Sequence, residues 1–227
     1  MNSFVNLLSL FVLIPLLLFS VYVGMDIPID SFGITGSEIP YQYEVFYIGT
    51  FICSLFHGLR SVKRWTALKI ANKTSQFKWS ALIGEKRRKR VVTYLGLEVF
   101  LMLCLSIAFI SLCDSSISLF LILILSAIDS FIFIIYGKNK YRISLSSKAI
   151  IIADREVKVI YFKGLRKLSI HQQSVFFDYI EDLQLFFPLN ALEEQDVSIF
   201  FNELNKLIDR ERVYLGNTHK FIKNQTK

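Results

Sequence analysis

The chain has 227 residues, 53% of them hydrophobic, with a mean hydropathy of +0.45 and a net charge of +7. That is too apolar for a soluble chain of this length and normal for one that crosses a membrane several times, so a wholly water-soluble domain is excluded. Three cysteines and three histidines, dispersed along the sequence, imply neither a disulfide framework nor a metal site.

Four apolar stretches lie in the first part of the chain: Phe4 to Gly24, Tyr43 to Leu59, Val91 to Cys113 and Ile117 to Tyr136. Each is near the roughly 20 residues that cover about 30 Å of hydrocarbon at about 1.5 Å per residue. Residues 1 to 24 lack a basic n-region and a convincing small-residue cleavage site before Met25, which reads as a retained span and not a signal peptide. The second stretch is the shortest. Its helix can continue past Leu59, because Arg60, Lys63 and Arg64 end a span without ending a helix.

Charge sets the topology. Residues 1 to 59 contain no Lys or Arg, whereas residues 60 to 90 hold eleven against one acid, Glu85. The positive-inside rule places this loop in the cytoplasm and the 25 to 42 loop, with Asp26, Asp30 and Glu38, outside. Four spans then put both termini inside. The short Asp114 to Ser116 link turns the last two spans into a hairpin at the outer face, and Lys138 and Lys140 anchor its return.

Most of the basic excess sits in the 60 to 90 loop, beside two spans, where orientation and contact with anionic headgroups account for it and nucleic acid is not required. Lys86, Arg87, Arg88, Lys89 and Arg90, immediately before the third span, are the expected headgroup contacts. Trp65 and Trp79 bracket the loop and are expected at the headgroup level, with Leu68, Ile70, Phe77 and Leu82 beside them.

Two carboxylates fall inside the spans. Glu98 lies about seven residues from the cytoplasmic end of the third, Asp129 about eight from that of the fourth, so their depths nearly match, with His57 somewhat nearer the surface. An ionisable group at that depth must face the bundle interior, be protonated or meet a partner. Two readings stay open: a proton or cation site, and interhelical hydrogen bonding that holds the bundle or an oligomer together.

From Lys140 onward the period changes to two. Tyr141, Ile143 and Leu145 alternate with Arg142, Ser144 and Ser146, then Ala149 to Ala153, Val157 to Phe162, Leu165 to Ile170, Ser174 to Ile180 and Leu183 to Phe187 follow as strands. Gly164 interrupts the run, and Glu181-Asp182 is the expected turn of the last hairpin. After Pro188, Asn190 to Glu193 has the form of a capping box, and Val197, Phe200, Phe201, Leu204, Leu207 and Ile208 recur at helical spacing. The expected fold is a membrane α-helical anchor of four transmembrane helices over 1–137, with the basic loop 60–90. A small cytoplasmic α+β domain follows over 138–209, an antiparallel sheet closed by a C-terminal helix, and then a flexible basic tail over 210–227.

The tract Val159-Ile160-Tyr161-Phe162-Lys163-Gly164-Leu165-Arg166-Lys167-Leu168, the aromatic hairpin after it, and Phe187-Pro188-Leu189-Asn190 leading into a terminal helix carry a resemblance. This part of the chain, about residues 138 to 209, resembles the bacterial pleckstrin-homology-like (PH-like) domains that follow membrane spans, the YcxB-like proteins among them. The resemblance implies a binding or scaffolding module of the bacterial inner membrane, without catalytic residues or a cofactor.

No Gly-rich phosphate loop, Gly-x-Ser-x-Gly or His-Glu-x-x-His motif is present, so no catalytic, cofactor-binding or metal residue is assigned. The expected interaction surface is an open sheet edge at Ile150 and Ile152, or at Val175, Phe177 and Tyr179, which would pair with a protein partner or a second copy in a homo-oligomer.

Overall fold

The computed structural model describes residues 2–29, 33–155, 157–180, 183–208 and 213–216. The chain divides into two compact units, Met1–Lys63 with Tyr94–Ile135, and Arg64–Thr93 with Tyr136–Lys227.

The first unit is helical. It holds α1 (Asn2–Gly24), a short hairpin of β1 (Pro28–Ile29) and β2 (Ile34–Thr35), and parts of α2 (Gln42–Ala71), α3 (Glu85–Leu112) and α4 (Ile117–Gly137). Among the described residues three helices are long and apolar enough to cross a membrane: Gln42–Ala71, Glu85–Leu112, and Asp114–Gly137, which adds a short 3-10 turn to α4. A chain in hydrocarbon must satisfy its backbone internally, which these uninterrupted helices do. Only 17% to 28% of their most apolar stretches is buried within the protein. Phe51, Phe100, Leu101, Leu125 and Phe131 are among the large side chains left outside, as a lipid-facing surface requires.

The interior of this unit gathers Leu16, Phe46, Cys53, Phe109, Leu119 and Leu123. Gly24 sits against the main chain of Leu112, where an added Cβ would lie 1.8 Å from the carbonyl oxygen. At the turn between α3 and α4 the buried Ser116 hydroxyl donates to the carbonyls of Phe109 and Cys113, at 2.8 and 2.7 Å. On the Asp26 side, hydrogen bonds from Thr35 and Ser37 hold the exposed carboxyl below its usual range.

The second unit carries two four-stranded sheets. One has the order β3-β4-β5-β6, from β3 (Trp79–Leu82), β4 (Arg142–Leu145), β5 (Ala149–Ala153) and β6 (Val157–Tyr161), all antiparallel. In the other, β7 (Leu165–His171), β8 (Ser174–Tyr179) and β9 (Gln184–Pro188) are antiparallel, and β10 (Tyr214–Leu215) joins β7 in parallel, giving the order β10-β7-β8-β9. The helix α5 (Glu194–Leu207) follows β9. Alternation fills the core: Ile143 and Leu145 of β4, Ile150 and Ile152 of β5, Val175 and Phe177 of β8, and Phe187 of β9 are all buried. Phe200 of α5 meets Phe187 and Trp79, each at a ring-centroid distance of 5.5 Å.

Three expectations are corrected. In the 60 to 90 segment α2 runs on to Ala71, as the sequence allows past Leu59, but Trp79–Leu82, expected at the headgroup level, forms an outer strand of the first sheet. Trp79 therefore packs on Phe200 and is not a headgroup anchor. The strands holding Ile150 and Ile152, and Val175, Phe177 and Tyr179, are interior to their sheets; β3 and β6 bound one sheet, β9 and β10 the other. Residues of strong β-pattern occupy central strands because both sides of their backbone are paired there. Finally, α5 begins at Glu194 after a 3-10 turn over Leu189–Ala191, so Asn190 to Glu193 is not its capping box. Asp30, the expected turn Glu181-Asp182 and the tail after Arg210, apart from 213–216, lie outside the described residues.

Replacing Trp79 by Ala is expected to lower unfolding stability by about 2 kcal/mol, roughly half the cost of truncating a fully buried aromatic, because the ring is half-buried. Denaturant unfolding of the full-length protein in detergent, followed by tryptophan fluorescence of Trp65, measures it.

Candidate functional site

Within the helical unit, Arg60 and Glu98 form an ion pair. Arg60 Nη2 donates to Glu98 Oε2 at 2.5 Å, with side-chain exposures of 12% and 16%, so the pair is shielded from water. The hydroxyl of Ser130 donates to the other carboxylate oxygen at 3.4 Å. Glu98 thus joins residues of α2, α3 and α4. Asp129 and His57 are half-buried in the same unit. From sequence Arg60 is expected to end the second span, and its pairing with Glu98 is not foreseen. The pairing was legible in principle: Arg60 stands 11 residues before the end of α2 (71 − 60) and Glu98 stands 13 after the start of α3 (98 − 85), similar heights on successive antiparallel helices.

A second ionic cluster lies in the sheet unit. Nε and Nη2 of Arg87 both donate to Asp154 Oδ2, at 3.0 and 2.6 Å. Asp154 follows β5 and is buried, as are Arg64 of α2 and Tyr141. Burial pushes the Tyr141 phenol above the usual tyrosine range, the Arg64 guanidinium pulls it down, and the Asp154 carboxylate adds to the rise. These four groups therefore share one weakly solvated polar cluster. Nearby, the carboxylate of Glu193 accepts a hydrogen bond from the backbone N–H of Glu85 at 2.7 Å, satisfying a free donor in the first turn of α3.

The five bases expected at the headgroups have separate fates. Arg87 is in the buried cluster, Lys89 pairs with Glu85 at 2.8 Å on an exposed face, and Lys86 and Arg90 are exposed, with Arg88 half-buried. Exposed pairs of the Lys89 kind contribute little to stability.

The expected pairing residues sit inside the sheets, and the free edges lie elsewhere. Val157, Val159 and Ile160 of β6 and Gln184, Leu185 and Phe186 of β9 line a groove of 310 Å³. Each of these strands is hydrogen-bonded on one side alone. Tyr161 and Phe186 are exposed, as are Ile180 and Leu183 beside the β8–β9 turn. The Tyr179 hydroxyl donates to the Tyr161 carbonyl at 2.5 Å, which holds β8 to the end of β6. This edge was missed because periodicity marks strands without giving their order in a sheet.

Among the described residues no group of three or more His, Cys, Asp or Glu could hold a metal ion. No protein-family model, curated protein or solved structure matches the chain.

Replacing Asp154 by Asn leaves the Arg87 guanidinium without its anion beside a buried Arg64. A loss of about 3 kcal/mol of unfolding stability is expected. The comparison is with Glu85→Gln, which removes an exposed pair with Lys89 and should lose far less, and chemical denaturation of both variants reads the difference.

Proposed function

We propose that the protein is a membrane-anchored interaction protein, whose sheet unit docks an extended protein segment, from a partner or from a second copy of the chain. In this reading α1 joins the three apolar helices to make a four-span anchor, both termini are cytoplasmic, and the membrane is the inner membrane of a bacterium. The sheet unit is a PH-like domain acting at the membrane surface, and Lys86 and Arg90 face anionic headgroups.

The observation that carries the reading is the groove between β6 and β9. Two outer strands, each with a ladder partner on one side, flank an apolar trough; Tyr161 and Phe186 on these strands, and Ile180 and Leu183 beside the β8–β9 turn, are large exposed side chains. A docked strand would satisfy the free N–H and C=O groups and cover these side chains, the usual physics of strand addition. The absence of a catalytic motif in the sequence points the same way, toward binding and away from chemistry. Glu98, held by Arg60 and Ser130, is accounted for by helix association.

Gentle extraction of the full-length protein, native mass determination and identification of what co-purifies provide the test. A stoichiometric protein partner or a defined oligomer is expected, lost from Phe186→Glu and Tyr161→Glu while thermal stability holds and retained by Glu98→Gln and Asp129→Asn. A lone monomer, with proton or cation flux in vesicles abolished by Glu98→Gln and Asp129→Asn, would overturn this reading in favour of a small proton- or cation-handling membrane protein.

A further inference from the structure

Beyond its apolar stretch, α2 carries a second groove, entirely within the sheet unit and separate from β6 and β9. Trp65 and Lys69 of α2, Asn72 and Lys73 just after it, and Tyr136 and Lys140 line a cavity of 640 Å³. That volume suits a small polar headgroup. The six residues come from two segments that the fold ties together: Asn72 Nδ2 donates to the carbonyls of Leu68, at 2.7 Å, and Lys140, at 3.0 Å.

The chemistry of the lining is uniform. Three lysines and no carboxylate line the groove. Lys69 stands in the last turn of α2 and Lys73 just past its end, both exposed, so an anion in the groove would offset their mutual repulsion. Lys140 Nζ is held 3.4 Å above the centroid of the Tyr136 ring, which fixes the third charge in place. Trp65 and Tyr136 approach at a ring-centroid distance of 5.9 Å. This aromatic pair begins where the apolar sequence of α4 ends, at the change from Ile134-Ile135 to Gly137-Lys138-Asn139-Lys140. Trp and Tyr at such a boundary pack against the glycerol and upper acyl region of a bilayer, with their polar ends toward the headgroups.

We infer that this groove, lined by Lys69, Lys73, Lys140, Trp65 and Tyr136, binds the phosphate of one anionic phospholipid. The lysines neutralise the phosphate, the aromatic pair seats the glycerol, and Asn72 positions Lys140. The site rests on the membrane reading of the spans and not on the docking of a protein segment.

Native mass spectrometry of the full-length protein in detergent, titrated with phosphatidylglycerol, phosphatidylcholine or soluble glycerol phosphate, tests it. One retained phosphatidylglycerol is expected, with phosphatidylcholine and glycerol phosphate bound at least tenfold more weakly. Lys69→Gln/Lys73→Gln/Lys140→Gln should weaken phosphatidylglycerol about 100-fold, at about fivefold per lysine. Lys86→Gln/Arg88→Gln/Lys89→Gln removes the same charge outside the groove and should weaken it less than fivefold. If Lys140→Gln prevents folding, the exposed pair Lys69→Gln/Lys73→Gln serves, with about a 25-fold loss expected. Equal losses in the two triple variants, an unaffected groove variant, or glycerol phosphate binding as tightly as phosphatidylglycerol would each overturn the assignment.

Discussion

The sheet unit depends on the pairing of Trp79–Leu82 with Arg142–Leu145. These strands are separated in sequence by two whole spans, so the unit closes only after the α3–α4 hairpin has been made. The ladder is extended at both ends, by Lys78 N–H to the Leu145 carbonyl and Ile83 N–H to the Tyr141 carbonyl, at 2.8 and 3.1 Å. Just beyond it, Gly84 N–H donates to the Ala191 carbonyl at 2.9 Å and Glu193 caps the start of α3. A strand, a loop and a helix end are thereby fastened to one sheet. A cut that separates residues 138–227 from the rest would leave β4 with an unpaired outer edge and Phe200 without Trp79.

The basic residues divide by environment, and magnitude decides which of them matter to the fold. Arg60, Arg64 and Arg87 are among the weakly solvated ones: Arg60 against Glu98, Arg87 against Asp154, Arg64 within electrostatic reach of Tyr141. Breaking a pair of that kind costs about 3 kcal/mol or more, several times the worth of an exposed pair such as Lys89 with Glu85. All three are Arg, whose planar fork keeps its charge when buried. The lysines of the same stretch are mostly exposed, Lys69, Lys73, Lys78, Lys86 and Lys89 among them, and are the ones available to a ligand or a lipid surface.

Period two and period 3.6 made most elements of the sheet unit readable. Ala149–Ala153 and Val157–Tyr161 form where alternation places them, Gly164 takes the positive φ of 83° that its break in the pattern suggests, and Phe200, Phe201 and Leu204 of α5 are buried. What the pattern concealed was partnership. Four residues of β3, Trp-Ser-Ala-Leu, are too few to announce a strand, and their partner lies beyond two spans. A sheet's outer strands are set by long-range order that local periodicity does not contain, which is why Ile150 and Val175, strongly β-patterned, turned out to be central. The Arg87 and Asp154 pairing was hidden for a different reason: a charge in a run of five reads as solvated until its neighbours are known.

The overhang of α2 shows how one short segment serves two purposes. From Leu59 to Ala71 the helix extends about 18 Å at about 1.5 Å per residue. Arg64, Ala67, Leu68 and Ala71 recur at helical spacing and are buried. Ala67 and Ala71 pack with Ala153 and Val157, and small side chains let the helix approach the β5–β6 turn closely. That contact, and not intrinsic propensity, keeps two β-sheet strands and a helix end in register beside the Arg87 and Asp154 pair. With this face committed to the sheet, Trp65 and Lys69 of the helix, and Lys73 just past its end, line the groove beside it. The burial of the first face is what holds Trp65 and Lys69 in a fixed geometry.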